Sequence, residues 1–261
     1  MLRQISQIIF IKKIRDILSG FLKKNQNYPV LIRQKRLIPI GVLFEATNQL
    51  EESRVRQLDD EEEFLQLMLD ELKDDDILYD IGACVGLFSI HAALRCERVF
   101  AFEPDPGLQE RIKRNCGLNQ VTNITILPWA VSNQRGQTTL YTGGVSGRSP
   151  SLRDFGQGKP IVVNTHSIDD DIALGVLPPP AVIKMDIEGA EFLALSGMAR
   201  LLSSSAPPRA IFVEIHPSFL EQFGSTAEEV FTLMRSEGYQ VSYRLRRDEQ
   251  EHVIFNKPML S

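Results

Sequence analysis

A segment with two glycines is the first place where this sequence could build a binding site. Residues 80–86 read DIGACVG and join a short apolar run to a helical pattern. Glycine lets the backbone turn tightly and approach a ligand, and the Asp80 carboxylate at the strand's end could reach an amino group. Three residues separate Gly82 from Gly86, unlike the GxGxxG of dinucleotide sites, so no pyrophosphate cradle is predicted. A plain structural turn is the alternative interpretation.

An acidic residue follows this turn at a distance that suits a ribose contact. Glu103 ends the apolar run 99–102, and Pro104 then stops the strand. An acidic residue about 20 positions after the glycine turn can accept hydrogen bonds from both ribose hydroxyls. The two segments together predict a nucleoside-containing cofactor. A surface glutamate in a loop is the alternative.

Two further strand ends carry ionisable residues. Residues 184–191 read KMDIEGAE, so Lys184 and Asp186 share one side of a strand, and Glu188 joins them if the strand extends that far. Residues 214–216 read EIH, which places Glu214 and His216 on one face. Such groups are costly on apolar strands unless they are paired or used, and ligands bind at this end of open α/β sheets. A helix cap with a Lys–Glu ion pair is the structural alternative, and it is compatible with function.

His216 is the best placed of the four histidines to act as a base, because its ordinary pKa lies near neutrality. A histidine that only hydrogen-bonds locally is the alternative. His91 falls in the apolar pattern of a helix and is predicted to pack in the core. For His166 and His252 the sequence indicates no partner.

Strands and helices alternate along most of the chain, which predicts βαβ units, a parallel sheet and an α/β doubly wound fold. The predicted main strands are 77–81, 98–102, 124–131, 181–186 and 210–215, and a terminal antiparallel pair is predicted at 240–244 and 252–256. Helices are predicted at 64–72, up to 94 after the glycine turn, at 106–118, up to about 203 after the fourth strand, and at 226–238. Extended pieces at 138–141 and 161–164 flank a Gly/Ser-rich loop, 142–151, which is expected to line the acceptor pocket.

Composition limits the class of protein. The chain has 261 residues, enough for one α/β domain with a small N-terminal addition, and its net charge of −5 argues against a nucleic-acid binder. Three cysteines without a CxxC pair suggest neither a disulfide framework nor a thiolate zinc site. No run of about 18 apolar residues appears, and the longest N-terminal run is too short for a signal peptide. A cytoplasmic protein is therefore expected.

The N-terminal segment is predicted to be separate from the main domain. Residues 2–24 place apolar side chains at helical spacing between six basic residues and one acid. Such a helix can lie on an anionic membrane surface, but packing on the domain or on a second subunit is the more ordinary use. Residues 25–39 suggest a linker with a short extended piece. We therefore divide the chain into an amphipathic helix and linker, 1–58, and a main domain, 59–261.

With these motifs in this order, the chain resembles the FkbM family of methyltransferases. The shared features are DIGA at 80–83 with Gly86, the FEP segment at 102–104, KMDIEGAE at 184–191, and Glu214 with His216. The resemblance covers about residues 75 to 256. It implies a class I methyltransferase-like (Rossmann-like) fold with a mostly parallel seven-stranded sheet, and S-adenosylmethionine as the methyl donor. It also implies O-methylation of a hydroxyl on a small molecule, sugar or glycan.

The resemblance assigns roles to individual residues. Around the methionine part of the cofactor it places Asp80, Gly82, Ala83, Cys84 and Gly86; Glu103, with Pro104, would bind the ribose, and Trp129, Ala130 and Val131 would lie near the adenine. The family usually has Asn where this chain has Cys84. Cysteine is small enough to preserve the turn but lacks the amide donor and acceptor, which bears on the fine contacts rather than on cofactor identity.

The expected mechanism is methyl transfer from the sulfonium to a hydroxyl, for which the protein supplies alignment and a base. Asp186 or His216 is the predicted base, Glu188 and Glu214 would orient the substrate or His216, and Lys184 would balance the carboxylates. No metal is assigned, although Asp186, Glu188, Glu214 and His216 could hold a divalent cation in a variant of this mechanism.

Two other classes of function stay open at this point. One is a nucleotide-cofactor oxidoreductase, which the missing GxGxxG disfavours. The other is a non-catalytic protein that binds S-adenosylmethionine or docks at a membrane through residues 2–24.

Overall fold

The structure is a computed structural model that describes residues 27–58, 61–142, 152, 158–247 and 250–258. Its strands are β1 (Val30–Gln34), β2 (Val42–Ala46), β3 (Ile77–Ile81), β4 (Arg98–Phe102), β5 (Ile124–Leu127), β6 (Ala130–Val131), β7 (Gly136–Thr142), β8 (Lys159–His166), β9 (Val182–Met185), β10 (Ala210–Ile215), β11 (Gln240–Arg247) and β12 (Gln250–Asn256). Its helices are α1 (Gln49–Gln57), α2 (Glu62–Glu71), α3 (Leu87–Ala93), α4 (Pro106–Asn119), α5 (Ile168–Ala173), α6 (Glu191–Ser196), α7 (Ala199–Leu202), α8 (Pro217–Leu220) and α9 (Ala227–Ser236).

Seven of the described strands form one sheet in the order β11-β12-β10-β9-β3-β4-β5. Strand β12 runs antiparallel to β10 and β11, and the remaining pairs are parallel. This confirms the predicted fold class, including the terminal antiparallel pair. The chain order reverses at β3, which lies between β4 and β9, so a crevice for a ligand opens at the carboxyl ends of these strands.

Apolar side chains cover both faces of this sheet. On one face, Tyr79 and Met185 belong to a core cluster that includes residues of α6, α7 and α9. On the other, Leu78 and Phe212 pack with residues of α2 and α3. Every residue of β9 and β10 is buried, as expected for central strands covered on both sides. The strand ends that carry the ionisable residues are therefore fixed in place.

Two predicted elements are divided in the structure. The strand predicted at 124–131 is split into β5 and β6 around Pro128, which has no N–H to give to a sheet, and β6 joins β7 and β8 in a second, three-stranded sheet. The helix predicted to run to about 203 is split into α6 and α7 at Gly197. A Cβ at Gly197 would lie 2.2 Å from the Ser132 carbonyl oxygen, so the backbones meet too closely for a larger residue.

The segment before residue 59 contains more structure than the predicted linker. Strands β1 and β2 pair as an antiparallel hairpin, and the side chains of Val42 and Phe44 are fully buried. The hairpin is held on α4, because Asn115 accepts a hydrogen bond from the Glu45 N–H at 2.9 Å and Asn119 accepts one from the Leu43 N–H at 2.8 Å. The short extended piece predicted in this segment is therefore one strand of a hairpin whose apolar face is covered by the main domain.

Other predictions stay open. The amphipathic helix at 2–24 lies outside the described residues, as does most of the Gly/Ser-rich loop, 143–151. The division of the chain near residue 58 and a cytoplasmic location stay predictions. None of the described helices is long and apolar enough to cross a membrane.

Candidate active site

The glycine turn lies where β3 meets α3, against the end of β9. Gly82 has φ +80°, and a Cβ there would lie 1.9 Å from the Asp186 carbonyl oxygen. Its N–H donates to the Phe102 carbonyl at 3.0 Å, which joins the turn to β4. Gly86 begins α3 with φ +83°. The turn therefore requires glycine both for its backbone angle and for the close approach of the loop after β9.

Asp80 and Lys184 form a buried ion pair beneath this turn. The Asp80 side chain has no exposed surface; it accepts a hydrogen bond from the Ser89 hydroxyl and lies 3.4 Å from Lys184 Nζ. Lys184 also donates to the Gly82 carbonyl at 3.2 Å. Burial disfavours the charged lysine, but Asp80 and Asp186 raise its pKa above the ordinary value. Both residues thus support the turn from below, and neither faces the pocket described next.

A pocket opens at the carboxyl ends of β3, β4 and β9. It is lined by seven of the residues predicted to bind cofactor or act in catalysis, namely Gly82, Glu103, Pro104, Trp129, Ala130, Val131 and Asp186, together with apolar residues such as Leu140 and Leu152. Of the remaining residues predicted to contact the cofactor, Ala83 packs on Ala101 and Ile112 behind the turn. Asp80, Cys84 and Gly86 likewise shape the turn rather than line the pocket.

Glu103 is fixed at the floor of the pocket by two backbone groups. Its carboxylate accepts hydrogen bonds from the N–H groups of Cys84 and Asp105, both at 2.9 Å. The residue is 4% exposed, and burial raises its pKa to about 8. A carboxylate held in this way at the tip of β4 is placed to receive the paired hydroxyls of a ribose.

Cys84 adopts the left-handed backbone conformation with φ +53°, which asparagine adopts more readily than most residues. Burial raises the pKa of its thiol to about 11, so the sulfur is not a thiolate at neutral pH. The Sγ atom lies 3.9 Å from Nη1 of Arg54 on α1. The N-terminal segment therefore reaches the turn, which the sequence did not indicate.

Trp129 forms the wall of the pocket opposite the sheet. Its ring stacks on His166 with centroids 4.2 Å apart and planes 12° apart. Nδ1 of His166 lies 2.8 Å from a carboxylate oxygen of the fully buried Asp171. Nε1 of Trp129 is buried and has no hydrogen-bond partner among the described residues, so it is a free donor for a ligand. The partner of His166 was not predicted because it depends on where β8 and α5 pack.

Four carboxylates surround His216 at the ends of β9 and β10; we call this group the acidic cluster. Nδ1 of His216 lies 3.0 Å from Glu191 Oε1. Its Nε2 lies 3.5 Å from Glu214, 3.8 Å from Glu188 and 4.0 Å from Asp186. The sequence-predicted catalytic residues are therefore brought together, except that Lys184 turns toward Asp80. Glu191 and His252, whose Nε2 lies 3.3 Å from Glu214, are partners that the sequence analysis missed.

Electrostatics divides the roles within the acidic cluster. Burial opposes the charged form of His216, but hydrogen bonds to Glu191 and Glu214 raise its pKa to about 11. Burial, followed by the charge of Asp186, raises the pKa of Glu188 to about 7, and burial also raises the pKa of Asp186. Burial opposes the charge of Glu214 as well, but its hydrogen bonds to His216 and His252 hold its pKa well below the ordinary value. This arrangement favours the protonated form of His216, and its role as a base stays a prediction.

The loop after β9 positions Glu188 by an uncommon backbone conformation. Glu188 has φ +55°, and Gly189 has φ +107°. A Cβ at Gly189 would lie 2.7 Å from Cβ of Phe219, whose ring stacks on His216. Non-glycine residues with positive φ are maintained by their surroundings and are frequent at functional sites. The Glu–Gly pair of this motif thus directs Glu188 toward His216.

The strand order, the reversal of the chain at β3, and a pocket with a carboxylate at the tip of β4 are the arrangement of a class I methyltransferase. The model of the family described as "Methyltransferase FkbM domain" matches residues 80–241, and the chain belongs to this family. It is an S-adenosylmethionine-dependent methyltransferase, which removes the oxidoreductase alternative.

The chain is similar to several known proteins. The hexuronic acid methyltransferase AglP of Haloferax volcanii is 29% identical over 73% of this chain and 80% of its own. The antimetabolite synthetase AmbE of Pseudomonas aeruginosa is 25% identical over 66% of this chain, which spans 10% of that longer protein. The crystal structure of methyltransferase FkbM from Methylobacillus flagellatus has a TM-score of 0.48 and 21% identity, and covers 71% of this chain and 44% of its own.

The residues present fit the methyl donor. Glu103 offers its carboxylate for ribose hydroxyls, and Nε1 of Trp129, a residue that lines the pocket, is a buried donor without a hydrogen-bond partner among the described residues. Gly82 lines the same pocket without adding a side chain to it. Each of these features belongs to a residue predicted from the sequence.

Proposed function

We propose that the chain O-methylates a hydroxyl group on a small molecule, a sugar or a glycan. Bound S-adenosylmethionine supplies an electrophilic methyl group and leaves as S-adenosylhomocysteine. The chain's own task is to hold the acceptor hydroxyl beside the pocket and to accept its proton. The similarity to AglP, a hexuronic acid methyltransferase, supports a sugar-like acceptor.

The observation that carries this proposal is the position of Asp186. It lines the pocket, and its Oδ1 is buried without a hydrogen-bond partner among the described residues while lying 4.0 Å from His216 Nε2. Asp186 therefore belongs both to the lining of the pocket and to the acidic cluster. A proton released from an acceptor hydroxyl at that border passes to these carboxylates. The positive charge of His216 opposes the rise in pKa that burial causes at Asp186 and Glu188.

Glu103 and Trp129 have a different task in this proposal. They hold the nucleoside end of the donor, while Gly82 allows it to lie against the turn. Replacing the proton acceptor should therefore lower methyl transfer without weakening binding of the methyl donor.

The test is a transfer assay with S-adenosylmethionine carrying a labelled methyl group and a panel of neutral sugars and hexuronic acids. We expect label in a product that resists mild alkali, as a methyl ether does, whereas a methyl ester releases methanol. Asp186→Asn should lower transfer by about a hundredfold or more and leave S-adenosylhomocysteine binding within about threefold. Asp170→Asn, an exposed carboxylate on α5, is the matched control. Alkali-labile label, or full transfer by Asp186→Asn, would overturn the proposal.

A further inference from the structure

We propose that Asp186, Glu188 and His216 bind a divalent cation of the Mg²⁺ or Mn²⁺ type beside the methyl-donor pocket; we call this place the cation site. One ligand atom of each residue lies within 4.8 Å of the other two. Nε2 of His216 is 4.0 Å from Asp186 Oδ1 and 3.8 Å from Glu188 Oε2. Oxygen ligands lie about 2.1 Å from Mg²⁺, so two ligands of one cation are about 3 to 4 Å apart. Small side-chain rotations would bring all three atoms onto one ion.

The donor set selects the class of cation. Two carboxylates favour a hard ion that prefers oxygen, and one imidazole is also accepted by first-row divalent metals. The acidic cluster has no thiolate, since Cys84 lies in the turn with a raised pKa. Mn²⁺ accepts both carboxylate and imidazole ligands, and we choose it as the probe for this site.

An independent observation points to a missing ligand at this place. Asp186 Oδ1 is buried and has no hydrogen-bond partner among the described residues, whereas buried polar atoms in native proteins are nearly always satisfied. The nearby lysine does not satisfy it, because Lys184 Nζ is held by Asp80 and the Gly82 carbonyl. A cation would satisfy this oxygen.

His216 is oriented in the manner of a metal ligand. Its Nδ1 is held by the fully buried Glu191, which directs Nε2 toward the carboxylates. Metal-bound histidines commonly donate a hydrogen bond from their second ring nitrogen to a carboxylate in this way. A cation at Nε2 takes the place of the proton that the imidazole otherwise carries.

The site deepens the proposed function and, in this respect, rests on it. Because Asp186 also lines the pocket, a cation held by it would border the pocket and could take an acceptor oxygen as a further ligand. An acceptor hydroxyl bound there has a lower pKa, so a carboxylate of the acidic cluster can accept its proton more easily. The charge of the cation also attracts acceptors that carry a carboxylate.

The test measures binding of Mn²⁺ to the full chain, freed of metal with a chelator, by the loss of the free-ion signal in electron paramagnetic resonance. With S-adenosylhomocysteine present, we expect one Mn²⁺ per chain, competed by Mg²⁺. Glu188→Gln and Asp186→Asn should each weaken binding at least about tenfold. Glu228→Gln, an exposed carboxylate on α9, should bind as the wild type does. Unaltered binding of S-adenosylhomocysteine by Glu188→Gln shows that this variant is folded, because Glu188 is not among the residues that line the pocket.

Absence of bound Mn²⁺ in the wild type, or equal binding by Glu188→Gln, would overturn the cation site. Methyl transfer measured with and without chelator separates this result from failure of the proposed function. If the chelator does not change methyl transfer to hydroxyls, the proposed function stands and the cation site is rejected. If Mn²⁺ binds as expected but label appears only in alkali-labile products, hydroxyl methylation is rejected and the cation site stands.

Discussion

Glu191 Oε1 lies 3.0 Å from Nδ1 of His216, at the centre of the acidic cluster. Glu191 begins α6 and has no exposed surface, and the same oxygen accepts the Gly189 N–H at 2.9 Å. One buried carboxylate therefore fixes both the imidazole and the Glu188–Gly189 turn. Its role is to position groups that contact substrate rather than to contact substrate itself.

Replacing this carboxylate with an amide tests that role. We expect Glu191→Gln to lower kcat of methyl transfer about 10- to 100-fold, because His216 loses the charge that orients it. Binding of S-adenosylhomocysteine, measured by calorimetry, should stay within about twofold, since Glu191 does not line the pocket. Glu110→Gln on α4, an exposed carboxylate, is the control. Full activity in Glu191→Gln would contradict the positioning role.

Gly82 should be the glycine that tolerates alanine least. Alanine there combines φ +80° with a Cβ 1.9 Å from the Asp186 carbonyl oxygen, whereas at Gly175 it meets φ +70° with open space around it. Gly175→Ala should cost about 1 kcal/mol of unfolding free energy, and Gly82→Ala at least about 2 kcal/mol more. Urea unfolding measures both values. Equal costs would mean that the close approach to β9 has no energetic consequence.

Cys84 occupies a left-handed position that asparagine adopts more easily. Cys84→Asn should therefore gain up to about 1 kcal/mol of unfolding free energy, while Cys84→Val, which is β-branched, should lose stability. Binding of S-adenosylhomocysteine to Cys84→Asn should be retained, because the Cys84 N–H, not its side chain, contacts Glu103. Thermal unfolding with and without ligand gives both results. A less stable Cys84→Asn would show that the buried thiol packs better than an amide.

The sequence predicted those parts of the site that depend on local pattern. The glycine turn, Glu103 at the end of β4, and the paired residues at the ends of β9 and β10 follow from chain order, because parallel strands bring their carboxyl ends to one edge. The apolar pattern of the helix after the glycine turn, α3, likewise predicted that His91 lies in the core, and His91 is fully buried.

Contacts set by packing between distant elements could not be predicted in this way. The Asp80–Lys184 pair depends on β3 and β9 being neighbours in the sheet, although five other strands, β4 to β8, lie between them in the chain. The stacking of Trp129 on His166 depends on the second sheet, and the approach of Arg54 to Cys84 depends on where α1 packs. Local periodicity contains no information about such partners.

Affinity for the cofactor product should depend on pH through Glu103. Burial raises its pKa to about 8, and ribose hydroxyls donate best to the ionised carboxylate. Binding therefore favours loss of the proton, and affinity for S-adenosylhomocysteine should rise as the pH is raised from 7 to 9, by up to about tenfold. Fluorescence of Trp129, the single tryptophan of the chain, reports binding. Glu103→Gln should remove this rise beyond what titration of the ligand's own amino group causes; an unchanged pH profile in that variant would contradict the assignment.

The central claim, that the pocket at the ends of β3 and β4 binds the methyl donor through Glu103, is tested most directly by calorimetric titration with S-adenosylhomocysteine. The wild type should bind one molecule per chain, and Glu103→Ala, with its fold verified by circular dichroism, should bind it at least about tenfold more weakly, because ribose loses its acceptor. No binding to the folded wild type, or equal affinity in the variant, would contradict the placement of the cofactor.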